Sequence, residues 1–276
     1  MNPEASIDRI DRLTPRELRA LFRVDAHVAP TAGLAAGYVQ ANVVVVPAGV
    51  ADDFAAFCEL NPKPCPLLER TAPVQYEPTD CASGADLRTD VPRYRVLRNG
   101  ALADRPTSIV NLWRDDLVAF LLGCSFTFEN AMLAAGLPVR HIEENRNVPM
   151  FRTNIECKSA GLFCGSMIVS MRPLTPEQVG SVTNITAQFP KAHGAPIHTG
   201  NPAVIGIADI HKPDYGDPVT IREDEIPVFW ACGVTPMEAI LNARLDLAIT
   251  HEPGHMFVTD LRDDSLRQAP LGNAPR

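Results

Sequence analysis

The chain's pattern predicts an α/β fold with a mixed sheet, and three observations carry that expectation. Short apolar or β-branched runs of strand length alternate with segments of helical length. Thr-Pro pairs stand where helices would begin, at Thr14-Pro15, Thr175-Pro176 and Thr235-Pro236. Clusters of glycine, proline and asparagine separate the runs.

Thr14-Pro15-Arg16-Glu17 has the order of a capping box with a first-turn proline. It predicts a helix to about residue 24 that buries Leu18, Leu21 and Phe22. Residues 30–37 form a loop, and 42–47 a β-branched strand buried on both faces. Asp52 or Asp53 caps a short helix to residue 60. Residues 61–66 hold too many prolines for either regular element. Residues 94–101 read as a hairpin around Asn99-Gly100. Helices are expected at 115–122 and 126–135, the second stopped by Gly136 and Pro138. Beyond it, strands are expected at 139–142, 167–171, 204–207, 228–232, 247–250 and 257–259. Helices at 175–188 and 235–243 come between them. Residues 262–276 are polar and expected to fray.

A chain of 276 residues makes one large domain or two intimately packed ones. Its net charge is −8, and only four cations are lysine, namely Lys63, Lys158, Lys191 and Lys212. Without a basic cluster, nucleic acid is excluded as a partner. No apolar run approaches the ~18 residues of a membrane span, and the first residues lack an apolar leader core. Seven cysteines, an odd number with no C-x-x-C pair, point to reduced thiols and a cytoplasmic setting. No G-x-G-x-x-G, phosphate-loop lysine or G-x-S-x-G motif is present, which disfavours nucleotide cofactors and a serine hydrolase. The oligomeric state stays open, a homo-oligomer included.

His251-Glu252-Pro253-Gly254-His255 fits H-E-x-x-H, but that zinc motif needs both histidines on one helical face. Pro253 and Gly254 break such a helix, so a tight loop between two strands is expected. His193 and His198 bracket a second stiff loop. A divalent ion could draw on His193, His198, His251, His255 and His141, with Glu129, Asp209 or Asp260. The segment 140–150 follows an expected strand and is dense in charge. There Arg140 and Arg146, with Arg152 just beyond, offer forks for carboxylates. The plain alternative is a solvated loop whose ion pairs contribute little. Cys124 and Cys232 each follow an apolar run and precede a helix, a setting that lowers a thiol pKa. Facing each other, they would suit a cofactor-independent amino-acid racemase.

Several segments occur together in one order. They are Pro30-Thr31-Ala32-Gly33-Leu34, residues 37–42 from Gly37 through Tyr38, residues 61–67 and Gly123-Cys124-Ser125-Phe126. Residues 140–150, His193-Gly194-Ala195-Pro196, residues 229–236 and residues 253–261 complete the set. In these the chain resembles the D-glutamate cyclase family, whose bacterial members are described as hydro-lyases. The resemblance runs from about residue 30 to 261, with departures at Asn145, Met237 and Glu252. It implies a three-layer α/β/α-like core from residues 1–138 and 216–276, with a smaller α+β portion at 139–215. It also implies loss of water from D-glutamate to give 5-oxo-D-proline, assisted by a divalent cation, manganese or magnesium.

On that reading a small carboxylate is the partner, with neither nucleic acid nor membrane. Arg140, Arg146, Asn147, Arg152, Thr31 and Tyr38 are candidate substrate-binding residues. His193, His198, His255 and Glu129 are catalytic candidates, and His251, Asp209 and Asp260 are metal candidates. Two alternatives stand beside it: the racemase built on Cys124 and Cys232, and a carboxylate-binding protein without turnover.

Overall fold

A computed structural model describes residues 10–268. The chain begins with α1 (Pro15–Arg23), where Thr14 and Glu17 form the predicted capping box. There follow β1 (Tyr38–Pro47), α2 (Ala48–Leu60), β2 (Leu67–Arg70), β3 (Tyr94–Arg98), β4 (Ala101–Asp104) and β5 (Leu117–Gly123). Next come α3 (Phe126–Ala134), α4 (Arg140–Glu143), β6 (Met150–Glu156), β7 (Ser166–Leu174) and α5 (Pro176–Ala187). The last elements are β8 (His198–Thr199), β9 (Ile226–Ala231), α6 (Thr235–Ala243), β10 (Ala248–His251) and β11 (Phe257–Arg262).

Two sheets organise these elements, and the α/β content is as predicted. The larger, seven-stranded sheet has the order β2-β5-β1-β10-β3-β4, with β11 also paired to β1. Strands β10 and β11 lie end to end along the same edge of β1, because Val45 pairs with Ile249 while Ala41 pairs with Phe257. The smaller sheet has the order β6-β7-β9-β8. Among the described residues the strand pairings are antiparallel, where a mixed sheet was expected. Helices do separate the strands in sequence, but α3 with α4, and α6, carry the chain from one sheet to the other, while α2 and α5 return it to the sheet it left.

One face of the larger sheet packs on α2 and α6 through Phe54, Phe57, Ala239 and Ile240. Phe54 meets Phe120 edge to face at 4.8 Å. The opposite face is covered by Cys81, Ala82, Leu87, Val91 and Ile109, which lie in irregular chain. The third layer is therefore loop, where the family resemblance implied helix. The smaller sheet packs one face on α3 and α5 through Trp230, Phe128 and Val182, and the other on Phe151, Met171, Ile205 and Ile207. Its strand β9 lies in residues assigned above to the core, so the smaller unit reaches past residue 215.

Local departures have simple causes. Residues 117–123 are strand, not helix, and each of them is buried. A run apolar on both faces has no period that separates the two forms. Residues 140–143 are helical rather than extended, and Pro202–Ile205 is a 3-10 turn. At the C-terminal end β11 continues through Arg262 into a 3-10 turn at Asp263–Leu266. The rest of the expected fraying, 269–276, lies outside the described residues.

Candidate active site

Strands β5 and β9 leave their sheets alike. Each runs into a turn carrying a cysteine, Cys124-Ser125 and Cys232-Gly233-Val234, and each turn opens a nine-residue helix, α3 and α6. Asn42 pins the two turns together. It stands opposite Leu122, and its Nδ2 donates to Gly123 O at 2.8 Å. A methyl group on Gly233 would lie 2.0 Å from the same nitrogen. On Gly123 a methyl would lie 1.7 Å from Lys191 O. Both glycines thus serve close approach of backbone, without a left-handed φ. The two cysteines pack into one cluster with Phe126, Ile168, Val234 and Met256.

Beneath the first turn lies a buried ion cluster. Arg172 on β7 is fully buried and faces α3. Its Nε donates to Glu129 Oε1 at 2.9 Å, and Nη2 donates to the same oxygen. Nη2 also reaches Ser125 Oγ at 2.9 Å, and Nη1 reaches Ser170 Oγ at 3.0 Å. The guanidinium carbon lies 5.3 Å from the ring centres of both Phe128 and Trp230. His141 Nε2 sits 3.2 Å from Glu129 Oε1, within ion-pair range but off the line of a hydrogen bond. Burial pushes the Glu129 carboxyl up, but His141 and Arg172 outweigh it and hold the carboxyl below its ordinary value. Its other oxygen, Oε2, is buried and accepts no hydrogen bond among the described residues. A bare carboxylate oxygen is costly unless something polar is to meet it.

His193 closes the other side. It follows the 3-10 turn Pro190–Ala192 with a left-handed φ of 77°. Its Nδ1 lies 2.8 Å from Lys63 O, which places the proton on Nδ1 and a lone pair on Nε2. Burial, with the nearby charges of Arg172 and Lys63, outweighs that hydrogen bond and brings its pKa down to about 4. It is a neutral base at neutral pH.

A second group of predicted residues gathers at the loop between β10 and β11, which is the tight inter-strand loop expected for residues 251–255. Thr31 donates from N and Oγ1 to Gly254 O at 2.8 and 3.2 Å. Asn147 Nδ2 donates to Pro253 O at 3.0 Å. His251 turns its Nδ1 to within 3.2 Å of Val43 N and O, where a strand partner would otherwise stand. His255 is half-buried, with Nδ1 3.1 Å from Pro253 O. Met256 and Val148 join this loop to the cysteine cluster.

The remaining candidates lie elsewhere. Arg140 is buried against Glu225 at 2.6 Å and Glu143 at 3.0 Å. Arg152 pairs with Glu238 at 2.8 Å and Asp214 at 2.7 Å. Arg146 reaches Pro218 O and Glu144. These forks are taken by the protein's own acceptors, so the expected clamp does not form. His198 lies opposite Phe229, on the face of the smaller sheet turned away from Arg172. Tyr38 stacks under Arg262 at 4.5 Å. Asp209 pairs with Lys212, and Asp260 with Arg19. Among the described residues, no three His, Cys, Asp or Glu side chains approach closely enough to share a metal ion. The donor set therefore does not fit the divalent cation that the resemblance implies.

Arg172, Ser125, Ser170 and Asn42 were missed from sequence. A lone arginine in an apolar strand was the available signal, and Pro173 beside it made the strand look finished. A cavity of about 600 Å³ shares Lys191 with the His193 turn and is lined by Cys65, Leu67, Glu69 and Asp80. None of the ion cluster lines it, and chemistry locates the site better than volume does.

Comparison with known proteins bears on this geometry. Residues 118–260, which contain both cysteine turns and the ion cluster, match the family model described as D-glutamate cyclase. The chain is 57% identical over 254 residues to a protein of Geobacillus kaustophilus (strain HTA426) named "Putative hydro-lyase GK2103", covering 92% of this chain and 97% of that one. It is 56% identical to a protein of Stutzerimonas stutzeri (strain A1501) with the same general name, covering 92% and 96%. A third so named, from Mycolicibacterium gilvum (strain PYR-GCK), is 53% identical over 96% of this chain and 99% of its own. Identity of this depth along nearly the whole length sets aside the reading without turnover: the chain belongs to the D-glutamate cyclase family and is an enzyme of the hydro-lyase class.

Proposed function

We propose that the enzyme acts on a small amino-dicarboxylate and closes D-glutamate to 5-oxo-D-proline with loss of water. The observation that carries this reading is the buried cluster of Arg172, Glu129 and His141 beside the neutral base His193. Cyclisation needs a deprotonated α-amine, a neutralised γ-carboxylate and a proton source for the departing oxygen. Glu129 Oε2 offers an acceptor for the substrate ammonium. His193 Nε2 takes a proton from it. The guanidinium of Arg172 meets the γ-carboxylate, with Ser125 at its side. The amine attacks the γ-carbon, and His141 passes protons to the oxygen that leaves. The two protons lost from nitrogen leave in the water, so charge and atoms balance. Holding amine and carboxyl in contact favours the step, and each acid or base contributes about 10²–10⁴-fold.

Mass spectrometry after incubation with D-glutamate tests the reading, with and without added manganese or magnesium. The expected product is lighter than the substrate by one water, and His193→Gln should lower its rate about 10²–10⁴-fold with little change in melting temperature. No 5-oxoproline under any of these conditions sinks the proposal.

A further inference from the structure

The cyclisation leaves the two cysteines without a task, yet they are placed as a pair. Each follows a strand, precedes a nine-residue helix and is almost closed from solvent, Cys124 at 7% and Cys232 at 8% exposure. Cys124 lies two residues before Phe126, the first residue of its helix, and Cys232 three before Thr235, so each sulfur stands at a helix opening. Asn42 ties the turns together from one side, through Gly123 O and against Gly233. Glu129 Oε2, bare and buried one turn into α3, gives an independent sign of a ligand at this place.

We propose that Cys124 and Cys232 exchange the α-hydrogen of the bound amino acid, one thiolate removing it as a proton and the opposite thiol returning a proton on the other face. The substrate class rests on the reading above, an α-amino acid with an acidic side chain. The ammonium lies on Glu129, and the α-carboxylate takes the N–H groups of a helix start. The α-carbon is then held between the sulfurs. The C–H bond breaks with its electron pair left on carbon and delocalised into the carboxylate. A proton from the facing S–H forms the new C–H bond, so nothing is oxidised or reduced and the stereocentre inverts. Burial pushes both thiols up, Cys232 to about 11 and Cys124 further, against the pull of the helix N–H groups. Arg172 lies near both and favours ionisation, while Glu129 opposes it at Cys124, so Cys232 is the more readily ionised of the two.

The test is incubation of the full-length enzyme in deuterium oxide with D-glutamate and, separately, L-glutamate. Recovered amino acid is then analysed by mass and by chiral chromatography, alongside any 5-oxoproline. One deuterium at the α-carbon and appearance of the opposite hand are expected. Cys124→Ser and Cys232→Ser should each cut inversion about 100-fold or more. Each should also keep exchange for one hand alone, a signature that a merely structural cysteine would not give. Glutamate of both hands recovered free of deuterium from the unmodified enzyme overturns the inference, whether or not 5-oxoproline forms. Deuterium without 5-oxoproline supports the cysteine pair while removing the cyclase reading.

Discussion

Arg172 and the arginines of residues 140–152 are the same side chain in opposite circumstances. Arg140 and Arg152 sit among acids, one from their own segment and the rest brought in by the fold. Arg140 meets Glu143 and Glu225, and Arg152 meets Asp214 and Glu238. Arg172 stands alone in an apolar strand and finds one carboxylate, whose second oxygen is left bare. An arginine already held between two of the protein's own carboxylates has little to offer a ligand. An isolated charge buried in a sheet must be met by a partner, and an incomplete partner marks a place where a ligand can act.

The largest test of this contrast is stability. Arg172→Met leaves Glu129 buried with only His141 beside it, and should cost about 3–5 kcal/mol in urea unfolding. Arg152→Met, at a half-exposed guanidinium, should cost ~1 kcal/mol or less. Equal losses would erase the distinction. Next is acid sensitivity. His193 and His251 are both held down to about 4 by burial, so the unfolded chain binds the proton first. Their contribution is complete above the ordinary histidine value near 6.5 and is lost as pH falls toward about 4, by roughly 3 kcal/mol for each. Unfolding free energy measured against pH should show that slope, and His193→Gln should flatten about half of it. Smaller again is Gly233→Ala, whose methyl collides with the Asn42 amide. A loss of about 1–3 kcal/mol is expected, and a neutral melting temperature would show that the two turns are not tightly joined. Least affected is Arg146→Ala, on an exposed side chain, expected within about 0.5 kcal/mol by the same unfolding assay.

Elements whose signals are local could be read from sequence. The capping box of α1, the turn at Asn99-Gly100 and the Thr-Pro starts of α5 and α6 depend on neighbours in the chain. The loop after His251 was legible because Pro253 and Gly254 forbid a helix there. The antiparallel pairing was not, since β1 meets strands some two hundred residues away, as the Val43–His251 contact shows. Strand β5 hid its form by being buried throughout. In the site, Glu129, His193 and both cysteines were visible by residue type and position. Their convergence with Arg172 was not, because it depends on which face of β7 turns toward α3. Asn42 was read as strand, and its work lies in its side chain.

The shared edge of β1 has a consequence for synthesis. This strand is made early, yet half its hydrogen-bonding groups wait for β10 and β11 at the far end of the chain. At ordinary elongation rates the gap of 208 residues between Val43 and His251 is roughly 10–40 s. During that interval an apolar strand has one completed edge at most. A nascent chain stalled before residue 248 would present that open edge to any other strand nearby. Productive folding is thus timed by release of the last strands from the ribosome, and a chaperone that shields residues 38–47 should raise the yield of this protein more than one acting on its C-terminal half.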